Sequence, residues 1–417
     1  MTTSEVLNFT EMPYVDNVFE KFEFYGYEPI NSINLNLGQI EINIEQQDLL
    51  TLPSKAFLSF DGQLVKADGT AYANADAVAL TNNGVMHLFS EILYKLSNQN
   101  IENIFSPGQA TTILGMLKYP NDFQLAQGIN QLWCKDNTTT AVIADNQGFA
   151  ARQSYIIHKP TKKGTFSFCV PLRHIFGFCD DYDKVIYGLK HAITLVRQSD
   201  DDAIFKLAGI AAGKVNLSKI SLFMPRVLSS DVKKFKLYKQ IESKVTLPVS
   251  FRQRQCDSIS VPQCTSFSWR LSVKSSPDSP RYIIVGFQTN KRLDQNANAS
   301  VFDHCNSKYM YVLLNQERYL AVDYNLSFPN QQISRVYRDA AVFNKKLYGT
   351  NELVTQSNIN PSDYKDLYPL FAFNVSNQSE GLKPSTIDAQ IKATFNTAAP
   401  AGTMAYAVVI SDRMIEF

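Results

Sequence analysis

Apolar and polar residues alternate at many places along the chain, and this pattern restricts the fold more than any other feature. In the segment that begins at Gly38, the apolar residues Ile40, Ile42 and Ile44 alternate with polar ones. The clearest run in the second half has four apolar positions at the same spacing: Phe267, Trp269, Leu271 and Val273. Successive side chains of a strand point to opposite faces, so a period of two predicts strands with one face in a core.

The number of such segments indicates how the strands are grouped. The chain has 417 residues, which suits two domains of about 200 residues better than one. Each half offers about eight strands with a helix or two in the long connections, a count typical of a jelly roll. The two halves show no readable sequence repeat. The sequence therefore predicts a mainly all-β fold of two consecutive eight-stranded antiparallel jelly rolls, with short helices inserted in loops.

Helical spacing predicts where the main inserted helices lie. One helix is expected at about 109–118, before Tyr119 and Pro120, and a second begins at Ser229. A third is expected at 334–348, where Gly349 provides the C-terminal stop.

The stretch Gly164–Phe205 predicts where the first half ends. An apolar strand runs into Pro171, a Phe-rich turn and a short helix follow, and a second strand ends in the polar run Gln198–Asp202. We interpret this stretch as the closing strands of the first roll and the polar run as a hinge-like joint into the second. The predicted division is an N-terminal arm at 1–37, a first jelly roll at 38–202 and a second at 203–417.

Composition argues against several classes of function. The formal net charge is +1 and no Lys/Arg-rich tail is present, so we expect no sequence-specific nucleic-acid binding. The six cysteines show no CxxC spacing, and we find neither a signal peptide nor an apolar run of about 20 residues. We therefore expect reduced thiols in a chain that is not secreted.

The residues that could carry catalysis or bind a metal are isolated from one another. The five histidines form no HxH or HExxH motif, whereas a metal-binding double-stranded β-helix needs clustered ligands. Asp303, His304 and Cys305 include a nucleophile and a base, but chain neighbours point in different directions. The run Asp200–Asp202 lacks the spacing of a calcium loop. We expect no enzyme activity, no metal and no cofactor, and a cupin-like enzyme is disfavoured.

Aromatic residues are the candidate contact residues. Aromatics make up 12% of the chain and charged residues 19%, a balance that favours strands and large contact surfaces. The aromatic N-terminal arm is expected to pack on a neighbouring subunit, although an ordinary leading loop and strand explains it equally well. The Phe-rich turn is expected to pack between the two rolls or between subunits. The interface candidates are Tyr14, Phe19, Phe22, Tyr25, Phe176 and Phe178.

Three phrases of the first half, at Asn82-Asn83, Leu132–Asp136 and Leu195-Val196-Arg197, resemble the double jelly-roll major capsid proteins of DNA viruses and of the virus-like transposons called Polintons or Mavericks. Asn82 and Asn83, followed by Leu88-Phe89-Ser90 and a strand, are similar to a segment of the first roll of that family. Leu132–Asp136, of sequence LWCKD, resembles a family phrase that has an aromatic residue at the position of Cys134. The Phe-rich turn and the later Leu195-Val196-Arg197 resemble the end of the first roll.

The second half continues the resemblance to Polinton-like and adintovirus-like capsid proteins. The similar elements are Leu314-Asn315 with Tyr319, the predicted helix at 334–348, Tyr368-Pro369-Leu370 and Val375–Glu380. Together these phrases span most of residues 38–417 in the order found in the family.

The resemblance implies a structural function. It implies a major capsid protein that assembles as pseudo-hexameric homotrimers into an icosahedral shell, with a penton or minor capsid protein as partner. The location implied is the virion, assembled inside the host cell. An internal membrane beneath the shell is left open. The alternative is a two-domain β-sandwich binding module of lectin-like type, which the missing signal peptide and disulfide framework disfavour.

Overall fold

A computed structural model describes the protein at residues 19–30, 34–46, 49–229, 239, 248–272, 279–319, 322–349, 359–376 and 387–416. It contains two β-rich bodies that follow each other along the chain. The helix expected to begin at Ser229 falls almost entirely outside these residues, and so does Tyr14.

The first roll is built from two main antiparallel sheets. One sheet has the order β8-β4-β12-β3-β9, with β1 also paired to β12, and the other has the order β2-β10-β6-β7. A separate short pair joins β11 to β5. The strands of this roll are β1 (Phe19–Tyr27), β2 (Gln39–Ile44), β3 (Leu50–Thr51), β4 (Phe57–Lys66), β5 (Val78–Leu80), β6 (Phe89–Leu96), β7 (Gln99–Phe105), β8 (Thr165–Pro171), β9 (Ile186–Tyr187), β10 (His191–Arg197), β11 (Ile204–Lys206) and β12 (Gly213–Ser229).

The second roll is built from two four-stranded antiparallel sheets. Their orders are β13-β20-β15-β18 and β14-β19-β16-β17. The strands are β13 (Pro248–Ser260), β14 (Ser266–Arg270), β15 (Ser279–Thr289), β16 (Ser307–Leu314), β17 (Glu317–Tyr319), β18 (Phe371–Asn374), β19 (Ala389–Phe395) and β20 (Thr403–Glu416).

The two rolls share one strand order. The chain visits β1, β2, β4, β6, β7, β8, β10 and β12 in the first roll and β13 to β20 in the second. Counted this way, the first, eighth, third and sixth strands form one sheet of each roll, and the second, seventh, fourth and fifth form the other. The prediction of a mainly β fold with two antiparallel jelly rolls is confirmed. The first roll differs from the second by four additional short strands, β3, β5, β9 and β11.

Short helices occupy the long connections, as predicted. The expected helix at 109–118 begins two residues earlier, because Pro107 takes the first helical turn, where its missing N–H costs nothing. The expected helix at 334–348 is divided at Val342 and ends at Gly349, whose φ is +67°. The helices are α1 (Pro107–Lys118), α2 (Gln147–Ile157), α3 (Leu172–Ile175), α4 (Gly177–Asp181), α5 (Ser334–Ala341), α6 (Phe343–Tyr348) and α7 (Pro361–Asp366), and the 3₁₀ turns are Pro53–Lys55, Met86–Leu88, Phe123–Leu125, Gln127–Gln131 and Asp200–Asp202.

The strand pairings move the domain boundary from where the sequence placed it. β12 pairs with β4 and β1, so residues up to Ser229 belong to the first roll, which does not end at 202. The arm predicted at 1–37 contributes β1 to the same sheet. A strand's own alternation does not reveal its partner, and the eighth strand of a roll must return between the first and the third. The stretch Gly164–Phe205 therefore holds the sixth and seventh main strands of the first roll.

Candidate assembly surfaces

The Phe-rich turn packs between the two rolls. Phe176 and Phe178 are fully buried, and both rings contact Tyr94 of β6. Phe178 also meets Phe251 of β13 edge-to-face, with ring centroids 5.2 Å apart. Since both rings are enclosed within one chain, they are not available to a second subunit, and the contact between rolls is the correct one of the two alternatives.

Glu102 of β7 joins the two rolls through its carboxylate. The side chain is fully buried and accepts hydrogen bonds from the N–H groups of Gly177 (3.0 Å), Phe178 (3.0 Å) and Arg254 (2.7 Å). Burial raises the pKa of Glu102 to about 7, although nearby Arg254 and these N–H groups favour the charged form. Arg254 belongs to β13, which lies at the edge of its sheet. The Glu102 carboxylate of the first roll therefore accepts a backbone N–H that a neighbouring strand would otherwise bind.

Asp180 of α4 is the centre of a second contact between the rolls. Its side chain is 3% exposed and bonds to Arg254 Nη2 at 2.6 Å, Lys118 Nζ at 2.7 Å and the Tyr348 hydroxyl at 2.8 Å. Burial opposes its charge, but Arg254 and Lys118 outweigh burial and hold the pKa of Asp180 below its usual range. Burial and the adjacent Arg254 lower the pKa of Lys118 to about 8. We call Glu102, Asp180, Asp181 and their partners the inter-roll clamp.

Asp181 of α4 completes the clamp by binding the same strand of the second roll, β13. It accepts the backbone N–H of Arg252 at 2.8 Å and also pairs with the Arg252 guanidinium, which bonds in turn to the carbonyl of Leu347. Gly177 permits this close approach, because a Cβ at that position would overlap the carbonyl oxygen of Arg252. The alternating arginines of β13 therefore meet three carboxylates of the first roll.

The phrase LWCKD forms a third connection between the rolls. Asp136 is fully buried, and its carboxylate accepts from Arg152 Nη2 (2.7 Å) and Asn146 Nδ2 (2.9 Å) of the first roll. Asn298 Nδ2 (2.9 Å) and the Ser300 hydroxyl (3.2 Å) reach it from the second roll. The Lys135 ammonium pairs with the Asp363 carboxylate of α7 at 2.8 Å. The phrase is therefore structural, with each charged residue positioned to hold the two rolls together.

The pair Asn82 and Asn83 organises the loop beside this connection. Asn82 Oδ1 accepts the N–H of Cys134 at 2.7 Å, and Asn83 Nδ2 donates to the hydroxyls of Thr111 and Thr112 on α1. All of these residues are buried. The side chains provide hydrogen bonds that irregular backbone inside a core would otherwise lack.

The polar run Gln198–Asp202 is a bonded corner and not a hinge. Asp202 Oδ1 accepts the N–H of Leu293 at 2.6 Å, and Asp201 Oδ1 accepts from Gln295 Nε2 at 2.8 Å. Leu293 and Gln295 belong to the loop after β15 of the second roll. These bonds fix the corner against the second roll.

An exposed aromatic row crosses the outer face of the first roll. Phe22 and Phe24 of β1 are 44% and 47% exposed, and Phe24 contacts Phe57, which stacks on Phe223 at 5.0 Å. Phe57 and Phe223 are half-buried and lie outside the core. A solvent-facing sheet surface is normally polar, so this row, which we call the outer aromatic face, has the composition of a contact surface.

The remaining arm candidates lie on or before the same strand. Phe19 is the first residue of β1. Tyr25 is 39% exposed and lies under the guanidinium of Arg226, which is 3.9 Å from the ring centroid. Phe24, Phe57 and Phe223 are absent from the predicted interface residues, because alternation within one strand does not show which aromatics become neighbours across a sheet.

The isolated chemical groups of the sequence remain isolated in the fold. His304 Nδ1 accepts the N–H of Asn306 and its ring stacks on Phe328, while Asp303 pairs with Lys291. Burial raises the pKa of the Cys305 thiol to about 11, the opposite of what a nucleophile needs. Within the described ranges, no group of three or more His, Cys, Asp or Glu side chains is arranged to hold a metal ion.

Every helix in the described part of the chain is too short or too polar to span a bilayer.

Comparison with known families assigns the chain to a class. The sequence model of the double jelly roll-like domain matches residues 78–415, which include strands of both rolls. The chain belongs to this family. No curated protein matches its sequence.

Solved structures with the same architecture resemble the chain at low sequence identity. A chain of the Sputnik virophage structure aligns with a TM-score of 0.62 at 12% identity, covering 98% of this chain and 89% of that one. The crystal structure of the mavirus major capsid protein aligns with 0.55 at 12% identity, covering 100% and 93%. The Faustovirus major capsid protein aligns with 0.56 at 11% identity, covering 99% and 92%. The fold is what these proteins share with the chain.

Proposed function

We propose that this chain is a viral major capsid protein that assembles as pseudo-hexameric homotrimers into an icosahedral shell. The observation that carries the proposal is internal to the chain: two rolls with one strand order are locked edge to edge by buried polar contacts. A unit of this kind presents two similar building blocks in a fixed relation. Three copies then supply six blocks, and a closed ring of six has a hexagonal outline suited to tiling.

The comparisons support this proposal. The family match includes strands of both rolls, and two of the similar structures are major capsid proteins by description. The near-neutral charge also fits, because dense packing of many copies would be opposed by a large like charge. The lectin-like alternative receives no support from these relatives.

The proposal has consequences for partners and location. A pseudo-hexagonal trimer cannot occupy a five-fold vertex, so a closed shell needs a second protein of penton type there. The protein would reside in the virion after assembly inside the host cell. The contacts within the shell would be made by side chains and loops, with no catalytic residue and no cofactor.

The proposal is tested with the purified full chain. Light scattering coupled to size-exclusion chromatography should give a mass three times that of the 47.0 kDa chain, and negative-stain images should show hexagonal particles or shells. A monomer that persists at high micromolar concentration, with no particles in the images, would contradict the proposal. Glycan binding by such a monomer would favour the lectin-like alternative.

A further inference from the structure

The two rolls can be aligned residue by residue at their fourth strands, and the fifth strands follow from the residues with which they pair, with one bulge residue in β7 that β17 lacks. β6 and β16 have the same length and the same sequence of buried and half-buried positions over Phe89–Leu96 and Ser307–Leu314. Both end in a tight hairpin that leads to an edge strand, β7 or β17. Leu96 and Leu314 therefore occupy the same position in the two rolls, and so do Tyr94 and Val312.

This alignment gives Glu102 a counterpart. Tyr94 pairs with Glu102 across the first hairpin, and Val312 pairs with Tyr319 across the second. Glu102 is the residue of β7 whose carboxylate binds the edge strand β13 of the next roll in the chain. Tyr319 therefore occupies the position from which the second roll would contact a roll that follows it.

Tyr319 has the features of an incomplete contact. Among the described residues its buried hydroxyl has no hydrogen-bond partner. The side chain lines a cavity of about 200 Å³, smaller than the roughly 300 Å³ or more of small-molecule sites. Four other aromatic side chains line the cavity, together with an acid and a base: Tyr282, Tyr324, Phe343, Phe373, Asp339 and Lys346.

The strand that such a contact requires is present on the first roll. β13 is the first strand of the second roll, lies at a sheet edge and is bound by the first roll of its own chain. Its counterpart, β1, pairs with β12, and no other described strand pairs with it. β1 carries the exposed Phe22 and Phe24.

The two contacts are matched in chemistry as well as in position. Where β13 presents Arg252 and Arg254, the first roll presents carboxylates. Where β1 presents phenylalanines, the second roll presents a cavity with aromatic lining and a Tyr319 hydroxyl that bonds to none of the described residues. The contact within the chain therefore has the composition of an ion-paired interface, and the vacant pair of surfaces has that of an aromatic one.

We propose that β1 of one copy packs against β17 and the Tyr319 cavity of a second copy, repeating between chains the contact that the inter-roll clamp makes within one. This rests on the proposed homotrimer, in which each second roll is followed by the first roll of the next chain. The contact is heterologous, and three such contacts close the ring. The Tyr319 hydroxyl is expected to bond to backbone groups along the free edge of β1.

Cysteine cross-linking tests this arrangement directly. Copies carrying Phe24→Cys are mixed with copies carrying Tyr319→Cys, allowed to assemble and treated with a short bismaleimide. We expect a covalent dimer from the mixture and a covalent trimer from the double variant. Wild type reports the background of the six native cysteines, and Phe24→Cys with Leu293→Cys is the matched exposed pair, for which no specific product is expected.

The outcomes separate this inference from the proposed function. Trimers by light scattering without a 24–319 cross-link would overturn the arrangement while leaving the trimer intact. A product from Phe24→Cys copies alone would show that the outer aromatic face meets itself across a two-fold axis, which also overturns it. Absence of any trimer would contradict the proposed function itself.

A second measurement isolates the hydroxyl. Tyr319→Phe removes one oxygen and is expected to weaken trimer association by about 2-fold to 12-fold per contact, with unchanged thermal unfolding of the dissociated chain. Phe24→Ser should weaken it more, by about 30-fold or more, because it removes an aromatic anchor. An unchanged dissociation constant in both variants would contradict the proposed contact.

Discussion

The clamp around Asp180 provides the most quantitative prediction, through the single change Asp180→Asn. The substitution preserves the shape of the side chain and removes its charge. Arg254 is 7% exposed and Lys118 is 17% exposed in this cluster, so two nearly buried cations would lose their counter-ion. Arg173 also approaches Asp180, at 3.5 Å, but it is half exposed and contributes little.

The expected loss follows from the cost of leaving a buried charge without a partner. Removing one member of a buried ion pair costs about 3–5 kcal/mol. With a urea dependence of about 3 kcal/mol per molar, the unfolding midpoint would fall by about 1–1.7 M. The contribution of Asp180 to stability also depends on pH. The pKa of Asp180 is lowered on folding, so its stabilisation is present above its ordinary value of 3.8 and is lost as the pH falls toward the folded-state pKa.

The assay uses the two tryptophans as separate reporters. Trp133 is buried in the first roll and Trp269 in the second, and the chain has no others. Trp→Phe variants with one tryptophan each allow the urea transition of each roll to be followed. Both should report the loss, because Lys118 lies in the first roll and Arg254 in the second.

The control is Asp183→Asn, which changes an exposed acid two residues after the clamp. It should alter the free energy of unfolding by less than about 0.5 kcal/mol. If Asp180→Asn cost no more than this control, or less than about 1 kcal/mol, the clamp would not be the ion-paired contact described here.

Three further predictions concern the interior of the chain. Gly177→Ala should destabilise the chain by about 3 kcal/mol or more, because the new methyl group would overlap the Arg252 carbonyl of the second roll. The control Gly188→Ala should cost only about 1–2 kcal/mol, because that residue has a positive φ but open space around it. Equal losses of the two variants in thermal unfolding would contradict this prediction. Asp136→Asn should cost about 3–5 kcal/mol in urea unfolding by leaving the Arg152 charge buried and unpaired, and a loss below about 1 kcal/mol would contradict that role. Between pH 6.5 and 4.5, stability should fall as the pH falls, by about 2 kcal/mol per pH unit on average in urea titrations, and a flat profile would contradict the burial described. Three buried histidines have pKa values lowered to about 3–4, so in the folded chain they stay neutral at pH values where the unfolded chain binds protons at these residues. The pKa of Glu102 is raised to about 7, so this side chain binds a proton on folding and offsets the effect of one histidine. The three histidines are His87, His174 and His191.

The sequence predicted the architecture because alternation is a local property. The run Ile40–Ile44 lies in β2, and Phe267 and Trp269 lie in β14, each strand with one buried face as the period of two requires. The phrase LWCKD, which carries part of the resemblance, also contains a residue that stabilises the fold. Its Asp136 is buried and binds side chains of both rolls.

The domain boundary and the clamp could not be predicted in the same way. The predicted boundary at 202 was wrong because the sequence of β12 does not show which strands it pairs with. Its pairing with β1 and β4 depends on how the sheet of the first roll is completed. The clamp joins Glu102 to Arg254 across 152 positions, and neither residue stands in a recognisable motif. A buried carboxylate and an exposed one look alike in a sequence until the fold shows what surrounds them.

The central claim is that one chain supplies two locked rolls to a ring of six. Cryo-electron microscopy of purified assemblies tests this most directly. We predict a trimer with six upright rolls, in which the clamp lies between rolls of one chain and β1 lies against β17 of the next. A particle of another symmetry, or a monomer whose two rolls sit apart with the clamp open, would contradict the account.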